Sequence, residues 1–261
     1  MRIAYLVPGP MGRTPAGAEE LARRLELLRD YARPGTEVGI ADVAEGPASI
    51  ESAYEEYLSI PGGVRRATEL EAEGWEALIL GCFGDPGLDA YREIVSVPVI
   101  GPGEAAALLA CSLGHRFSIV TIADSILPAT EHQIHNAGVG SALSSVRAIN
   151  VPVLELHQDR DRTRKLTIEI GRRAVEEDGA DTLILGCMSM GFLGIAEEVT
   201  GELGVPVINP ARAALGFAEA LVGSGLTHSR RAYMTPPKLA ADGALSPADL
   251  FESATRSRAQ L

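Results

Sequence analysis

The sequence predicts an α/β protein of two similar lobes. Each is a four-stranded parallel sheet flanked by helices, and a pseudo-twofold axis relates them with the site between. Three observations lead there. "GWEALILGC" (Gly74 to Cys82) matches "GADTLILGC" (Gly179 to Cys187) without a gap. "VPVIGP" (Val97 to Pro102) matches "VPVINP" (Val205 to Pro210). Around both pairs, short apolar runs alternate with stretches of helical period, as parallel βαβ units require.

The elements follow in chain order. "RIAYLV" (Arg2 to Val7) predicts the first strand, and "RFSIVTI" (Arg116 to Ile122) is its counterpart. Helical stretches follow at Thr14–Asp30 and Ile126–Ala137. "EVGIAD" and "VRAIN" predict the second strands. "VRRATELEAEG" and "TIEIGRRAVEEDG" predict helices that stop at Gly, just before the repeated Leu-Ile-Leu strands. Further helices are expected near Glu104–Leu113 and Ala211–Val222. From Gly223 the chain becomes rich in Pro, Ser and charge. This tail reads as a surface arm or partly disordered segment, in which "SPADLFESATRSRA" can form one capped helix from Ser246.

Composition narrows the partners. Acidic residues number 35 against 23 Lys plus Arg, for a formal charge of -12. Without a basic cluster, nucleic acid is not an expected partner. No stretch approaches the apolar length of a membrane span, and the first apolar run is too short for a signal-peptide core. The cysteines, Cys82, Cys111 and Cys187, are too widely spaced for a disulfide framework or a zinc ribbon. A cytoplasmic protein acting on a small molecule, and assembling as a homo-oligomer, is expected.

Each repeated Cys follows an apolar strand and a Gly. In open parallel sheets, ligands sit beyond the carboxyl ends of strands. A Cys there meets backbone N–H groups of the following turn and helix, which favour a thiolate. If the duplicated lobes face one another, Cys82 and Cys187 approach one substrate from opposite sides. Two acid/base groups on opposite faces of a carbon are what stereoinversion needs. Cys111, three residues after Leu108 on a helix face, is expected in the core instead.

At "GCFGDPGLDA" the chain resembles the aspartate/glutamate/hydantoin racemase superfamily, and within it the hydantoin racemase group. "GPASIES" (Gly46 to Ser52), "VPVIGPGEAA", "VPVLELHQD" and "LTHSRRAYMTPP" are similar to that group as well, so the resemblance runs to about Pro237. It implies a cofactor-independent enzyme with Cys82 and Cys187 as paired catalytic thiols. It also implies a C-terminal part that returns to the first lobe, so that the lobes are residues 1–102 plus 211–261 and residues 103–210. A hydantoin or related ureide such as allantoin is the substrate it suggests. Aspartate or glutamate, a same-superfamily isomerisation or decarboxylation, and non-catalytic binding of a small anion remain alternatives. Two departures stand out. The first loop reads "VPGPMGRT" where the group has an Asn-Pro-Asn pattern, and Met188, Ser189 and Met190 follow the second Cys.

The neighbours of the cysteines supply candidate contacts. Main-chain N–H groups at Phe83–Gly84 and Met188–Ser189 suit a carboxylate or a developing enolate. The Ser189 hydroxyl either joins them or caps a helix. Asp85 reads as the cap of the helix after Pro86. Pro8 and Ser49 lie in loops expected at the site, and Thr121 ends the first strand of the second half. Ser52 with Glu55 forms a capping-box pattern beside Glu51. His132 and His135 read as a solvated face, and His157 points either way. Neither a metal-ligand spacing nor a nucleotide-binding Gly loop is legible, so no cofactor is expected.

Overall fold

The computed structural model describes residues 1–242. The helix expected from Ser246 lies outside them. The first half runs β1 (Arg2–Val7), α1 (Pro15–Tyr31), β2 (Glu37–Asp42), α2 (Ala53–Ala72), β3 (Ala77–Leu80), α3 (Leu88–Ile94), β4 (Val99–Ile100) and α4 (Pro102–Leu113). The second runs β5 (Phe117–Thr121), α5 (Leu127–Asn136), β6 (Leu143–Ala148), α6 (Arg160–Glu176), β7 (Thr182–Leu185), α7 (Met188–Gly191), α8 (Ala196–Leu203), β8 (Val207–Ile208) and α9 (Pro210–Gly223). A short α10 (Pro237–Asp242) ends the described chain. The strand orders are β2-β1-β3-β4 and β6-β5-β7-β8, and every pairing is parallel. This is the two-lobed α/β fold that the repeat predicts.

The central strands are covered on both faces, which is why they read as unbroken apolar runs. The second strands lie at the sheet edges and are only partly buried. β6 starts at Leu143, earlier than "VRAIN" suggests, because Leu143 already pairs with Phe117 of β5; two residues on, the Ser145 hydroxyl meets that of Ser118 at 2.8 Å. It stops before Asn150, whose φ of 52° leaves extended conformation.

Helix starts follow from local chemistry. The Thr14 hydroxyl accepts from Gly17 N at 3.1 Å, with Pro15 preset for the first turn of α1. The Ser52 hydroxyl accepts from Glu55 N at 3.3 Å, and the Glu55 carboxylate accepts from Glu51 N at 2.8 Å, so the box pattern does cap α2. That helix therefore begins well ahead of Val64 and continues through Pro61, Gly62 and Gly63. The glycines serve close approach: a Cβ on Gly62 would lie 2.4 Å from Glu45 O, and one on Gly63 1.8 Å from the Tyr91 hydroxyl.

The helices after the fourth strands change lobes. Ala106, Ala107 and Ala110 of α4 pack with Phe117 and Ile119 of β5 and Ile184 of β7. Ala214, Leu215 and Ala218 of α9 pack with Ile3, Tyr5 and Val7 of β1. Small side chains let both helices settle closely on their sheets and on each other. Burying Leu215 alone is worth about 2 kcal/mol. Cys111, expected in the core, is exposed. The alanines define the inner face of α4, and Leu108, which guided that expectation, is itself 40% exposed. Among the described residues no helix is long and apolar enough to cross a membrane.

Candidate active site

The two Gly-Cys pairs occupy equivalent places. Gly81 N donates to Leu6 O at 2.7 Å, and Gly186 N donates to Val120 O at 2.8 Å, each on the central strand of its sheet. Neither position has room for a side chain. A Cβ on Gly81 would lie 2.6 Å from Leu6 O, and one on Gly186 2.6 Å from Ile119 Cγ2. Glycine thus seats each strand end against its neighbour and holds the following cysteine at the rim of the sheet. Cys82 and Cys187 both line one cavity of about 1160 Å³ between the lobes.

Pro8 and Ser49 line the same cavity, as do Phe83, Gly84, Met188 and Ser189. The "GPASIES" loop crosses to the second lobe: Glu51 O accepts from the Ser125 hydroxyl at 2.7 Å, and the Glu51 carboxylate accepts from Val153 N at 3.0 Å. Thr121 is not brought to the cavity. It is fully buried, and its hydroxyl donates to Gly186 O at 3.0 Å, bracing the Cys187 loop from behind. His157 turns toward the cavity and stands 3.6 Å from Glu20. Exposed His132 lies at the rim, and His135 is also exposed.

Burial pushes the Cys82 thiol above its ordinary value. The Gly84 N–H opposes that rise, while Cys187, Asp85 and Glu56 add to it. Burial raises Cys187 too, but the opposition is broader: N–H groups of Met190 and Ser189, the Arg24 charge and the Ser189 hydroxyl. The N–H groups of Gly84 and Ser189, expected to receive a substrate oxygen, are therefore directed at the sulfurs.

Asp85 corrects a second expectation. It does not cap its own helix, α3, whose N-cap is Gly87. Its carboxylate accepts from Gly103 N at 3.0 Å and Glu104 N at 2.8 Å, capping α4. Gln133 of α5 donates to the same carboxylate at 2.8 Å and to Phe83 O at 2.7 Å. Burial pushes Asp85 up to about 7 against these donors.

Two groups at the site were not singled out in the sequence. Arg24, 5% exposed on α1, lines the cavity and donates to the Ser189 hydroxyl at 3.0 Å and to Glu20 at 2.7 Å. The signal was there: Leu21, Arg24 and Leu28 share one helix face, so a charge sits at a core position. Tyr5 of β1 is the second; its buried hydroxyl lies beside the Arg24 guanidinium and, as a donor, finds no acceptor among the described residues. Among the described residues no group of three or more His, Cys, Asp and Glu is placed to hold a metal ion.

Comparisons with known proteins give the family. The family model described as Asp/Glu/Hydantoin racemase matches residues 13–218. A hydantoin racemase from Pseudomonas sp. (strain NS671) is 36% identical, covering 94% of this chain and 96% of its own. One from Rhizobium meliloti is 37% identical over 87% and 93%. The allantoin racemase structure from Klebsiella pneumoniae superposes with a TM-score of 0.82 at 33% identity, covering 90% of this chain and 94% of that one. The chain belongs to the Asp/Glu/hydantoin racemase family and is an isomerase of the racemase type.

Proposed function

We propose that this chain is a cofactor-independent racemase of a 5-substituted hydantoin or a related ureide such as allantoin, with Cys82 and Cys187 as its two bases. The observation that carries the reading is the pair of equivalent Gly-Cys strand ends, one per lobe, lining one cavity. The names of the relatives at 36–37% and 33% identity support the substrate class. The stereocentre of such a ring is acidified by its carbonyl and amide neighbours, which suits a thiolate base. One thiolate takes the proton, leaving an enolate, and the opposite thiol returns a proton to the far face. The sulfurs end with their protonation exchanged, and the mirror-image substrate runs the sequence backwards.

Pro8, Ser49, Phe83 and Met188 are the substrate contacts in this reading, while Gly84 and Ser189 stabilise the ionised sulfurs. The division of the chain into residues 1–102 plus 211–261 and residues 103–210 belongs to the same proposal. It is supported by the packing of α9 on β1 and of α4 on β5 and β7. A cytoplasmic homo-oligomer remains the expected setting.

The test is loss of optical rotation with optically pure 5-substituted hydantoins, allantoin, aspartate and glutamate. Racemisation of a hydantoin or allantoin without added cofactor is expected. Racemisation confined to aspartate or glutamate overturns the substrate class, and release of CO₂ from a carboxylated analogue without racemisation overturns the reaction.

A further inference from the structure

The sulfurs lie in equivalent loops, yet their charged surroundings differ. Arg24 reaches from α1 of the first lobe into the Cys187 loop of the second. Its guanidinium donates to the Ser189 hydroxyl at 3.0 Å, is held by the Glu20 carboxylate at 2.7 Å, and lies 5.0 Å from the Phe192 ring centroid. Glu20 is itself tied to Arg23 at 2.7 Å and faced by His157 at 3.6 Å. Among the described residues, no cation acts on Cys82 as Arg24 does on Cys187. It faces the carboxylates of Asp85 and Glu56 and the phenols of Tyr5 and Tyr91. A buried cation favours a nearby anion, and buried carboxylates oppose one.

The Tyr5 hydroxyl is a separate observation. It is fully buried, beside the Arg24 guanidinium and within electrostatic reach of Cys82 and Cys187, and as a donor it finds no acceptor among the described residues. A buried hydroxyl left in this state costs about 1–3 kcal/mol. An anionic sulfur beside it gives that donor something to serve. The orphan donor and the reaching cation both mark the back of the cavity as the side on which an anionic sulfur is stabilised.

We propose that Arg24, clamped by Glu20 and joined to Ser189, is a positioning residue that makes Cys187 the more acidic of the two buried thiols, so that Cys187 is the first to ionise and act as the base. The proposal rests on the two-thiol reading and deepens it. When one sulfur is ionised it is Cys187, so the enzyme is readied first for the enantiomer whose C–H faces Cys187. After turnover the proton that Cys187 has taken and the one that Cys82 has lost must re-equilibrate through water. Until they do, the enzyme is ready only for the product's enantiomer.

The experiment reads thiol ionisation, not racemisation. Alkylation by iodoacetamide is followed peptide by peptide against pH in a Cys111→Ser background, which removes the exposed third thiol. Cys187 is expected to show the lower pH midpoint. Arg24→Gln should raise that midpoint and slow Cys187 alkylation about tenfold or more near pH 7.5, with Cys82 little changed. Arg24→Lys, which keeps the charge, should restore most of the rate. Ser189→Ala, which leaves Arg24 and its clamp in place, should give an intermediate shift and guards against a misfolded Arg24→Gln protein. A lower midpoint for Cys82 in the otherwise unmodified chain overturns the proposal, and so does an unchanged Cys187 midpoint in a folded Arg24→Gln protein. Failure of the racemase reading shows differently, as intact thiol titrations in a protein that racemises nothing.

Discussion

Cys82 and Cys187 end the same Leu-Ile-Leu-Gly-Cys run at equivalent strand ends, each with a hydrogen bond from Gly to the central strand, but the loops that follow are anchored by different chemistry. Asp85, from the Cys82 loop, caps α4 through Gly103 N and Glu104 N. In the second half Asn209 caps α9 itself, accepting from Ala211 N at 2.9 Å, and its amide donates to Gly191 O at 2.9 Å in the turn after Cys187. In both halves the helix that changes lobes is thus tied to a cysteine loop. One tie is an ionisable acid and the other a neutral amide. Duplication preserved the scaffold that places two sulfurs, while the groups around them were free to diverge in charge.

The largest expected effect tests whether the two loops act as one machine. Cys82→Ser and Cys187→Ser should each lower racemisation by about a thousandfold or more, because a serine hydroxyl cannot serve as the base near neutral pH. Each variant still keeps one thiol. In deuterated water each should exchange the proton at the stereocentre of one enantiomer with retention, and the two variants should choose opposite enantiomers. Proton NMR of both pure enantiomers reads this. Near-normal racemisation by either variant breaks the comparison, and the same enantiomer exchanged by both removes the opposed faces.

The next effect separates the two ties. Asp85→Ala leaves Gly103 N and Glu104 N without their acceptor and takes one of two from the Gln133 amide, and should cost about 2–4 kcal/mol in urea unfolding. Asn209→Ala should cost about 1–2 kcal/mol. Their pH dependence should also differ. Asp85 is raised to about 7 in the folded chain, above an ordinary value of about 3.9. Its contribution to stability is therefore fully present below about pH 4 and is lost as pH rises toward 7. Asp85→Asn should flatten that segment of the stability curve relative to the unsubstituted chain, by on the order of a few kcal/mol across the window. Asn209→Ala should shift the whole curve without changing its slope. Parallel curves for Asp85→Asn and the unsubstituted chain would show that Asp85 is ionised throughout.

A smaller effect concerns what lies behind one loop. Thr121→Val keeps the shape of the strand but removes the donor to Gly186 O, and should cost about 1 kcal/mol with only a few-fold loss of rate. A collapse in kcat with unchanged stability would instead give the hydroxyl a direct part in the reaction.

These contrasts explain what the sequence could disclose. The fold was legible because buried parallel strands write continuous apolar runs, and a duplication writes them twice. The cysteines were legible because each Gly-Cys sits where a strand must end. The partners of Arg24 and Asp85 were not, because they are distant in sequence: the helix pattern marks Arg24 as a charge at a core position but not that it meets Ser189 in the other lobe, and Asp85 caps a helix that starts at Pro102. Thr121 ends a strand at the right level, but its hydroxyl turns to Gly186 O, and strand position alone does not report where a side chain goes. Pro61-Gly62-Gly63 looks like a break, yet those glycines accommodate Glu45 O and Tyr91 inside a continuous helix.

The smallest effect is expected at Cys111, where the two halves differ most simply. Aligning "VPVIGP" with "VPVINP" sets Cys111 of α4 opposite Glu219 of α9. The positions before them agree in burial: Ala106, Ala107 and Ala110 are buried, as are Ala214, Leu215 and Ala218. Glu219 is 4% exposed and accepts from Arg33 N and the Thr36 hydroxyl, both at 2.8 Å, because the α1–β2 connection folds over α9. Cys111 is exposed. Glu219→Ala should therefore cost about 1–2 kcal/mol by taking the acceptor from the part-buried Arg33 N–H and Thr36 hydroxyl. Cys111→Ser should stay within about 0.5 kcal/mol, as surface changes usually do, and leave kcat unchanged. Urea midpoints of the two variants, measured side by side, check the contrast. A loss at Cys111 as large as that at Glu219 would mean that its face of α4 is covered in solution. Repeating the measurement across protein concentrations would then distinguish a partner copy, whose contribution grows with concentration, from a segment of the same chain, whose contribution does not.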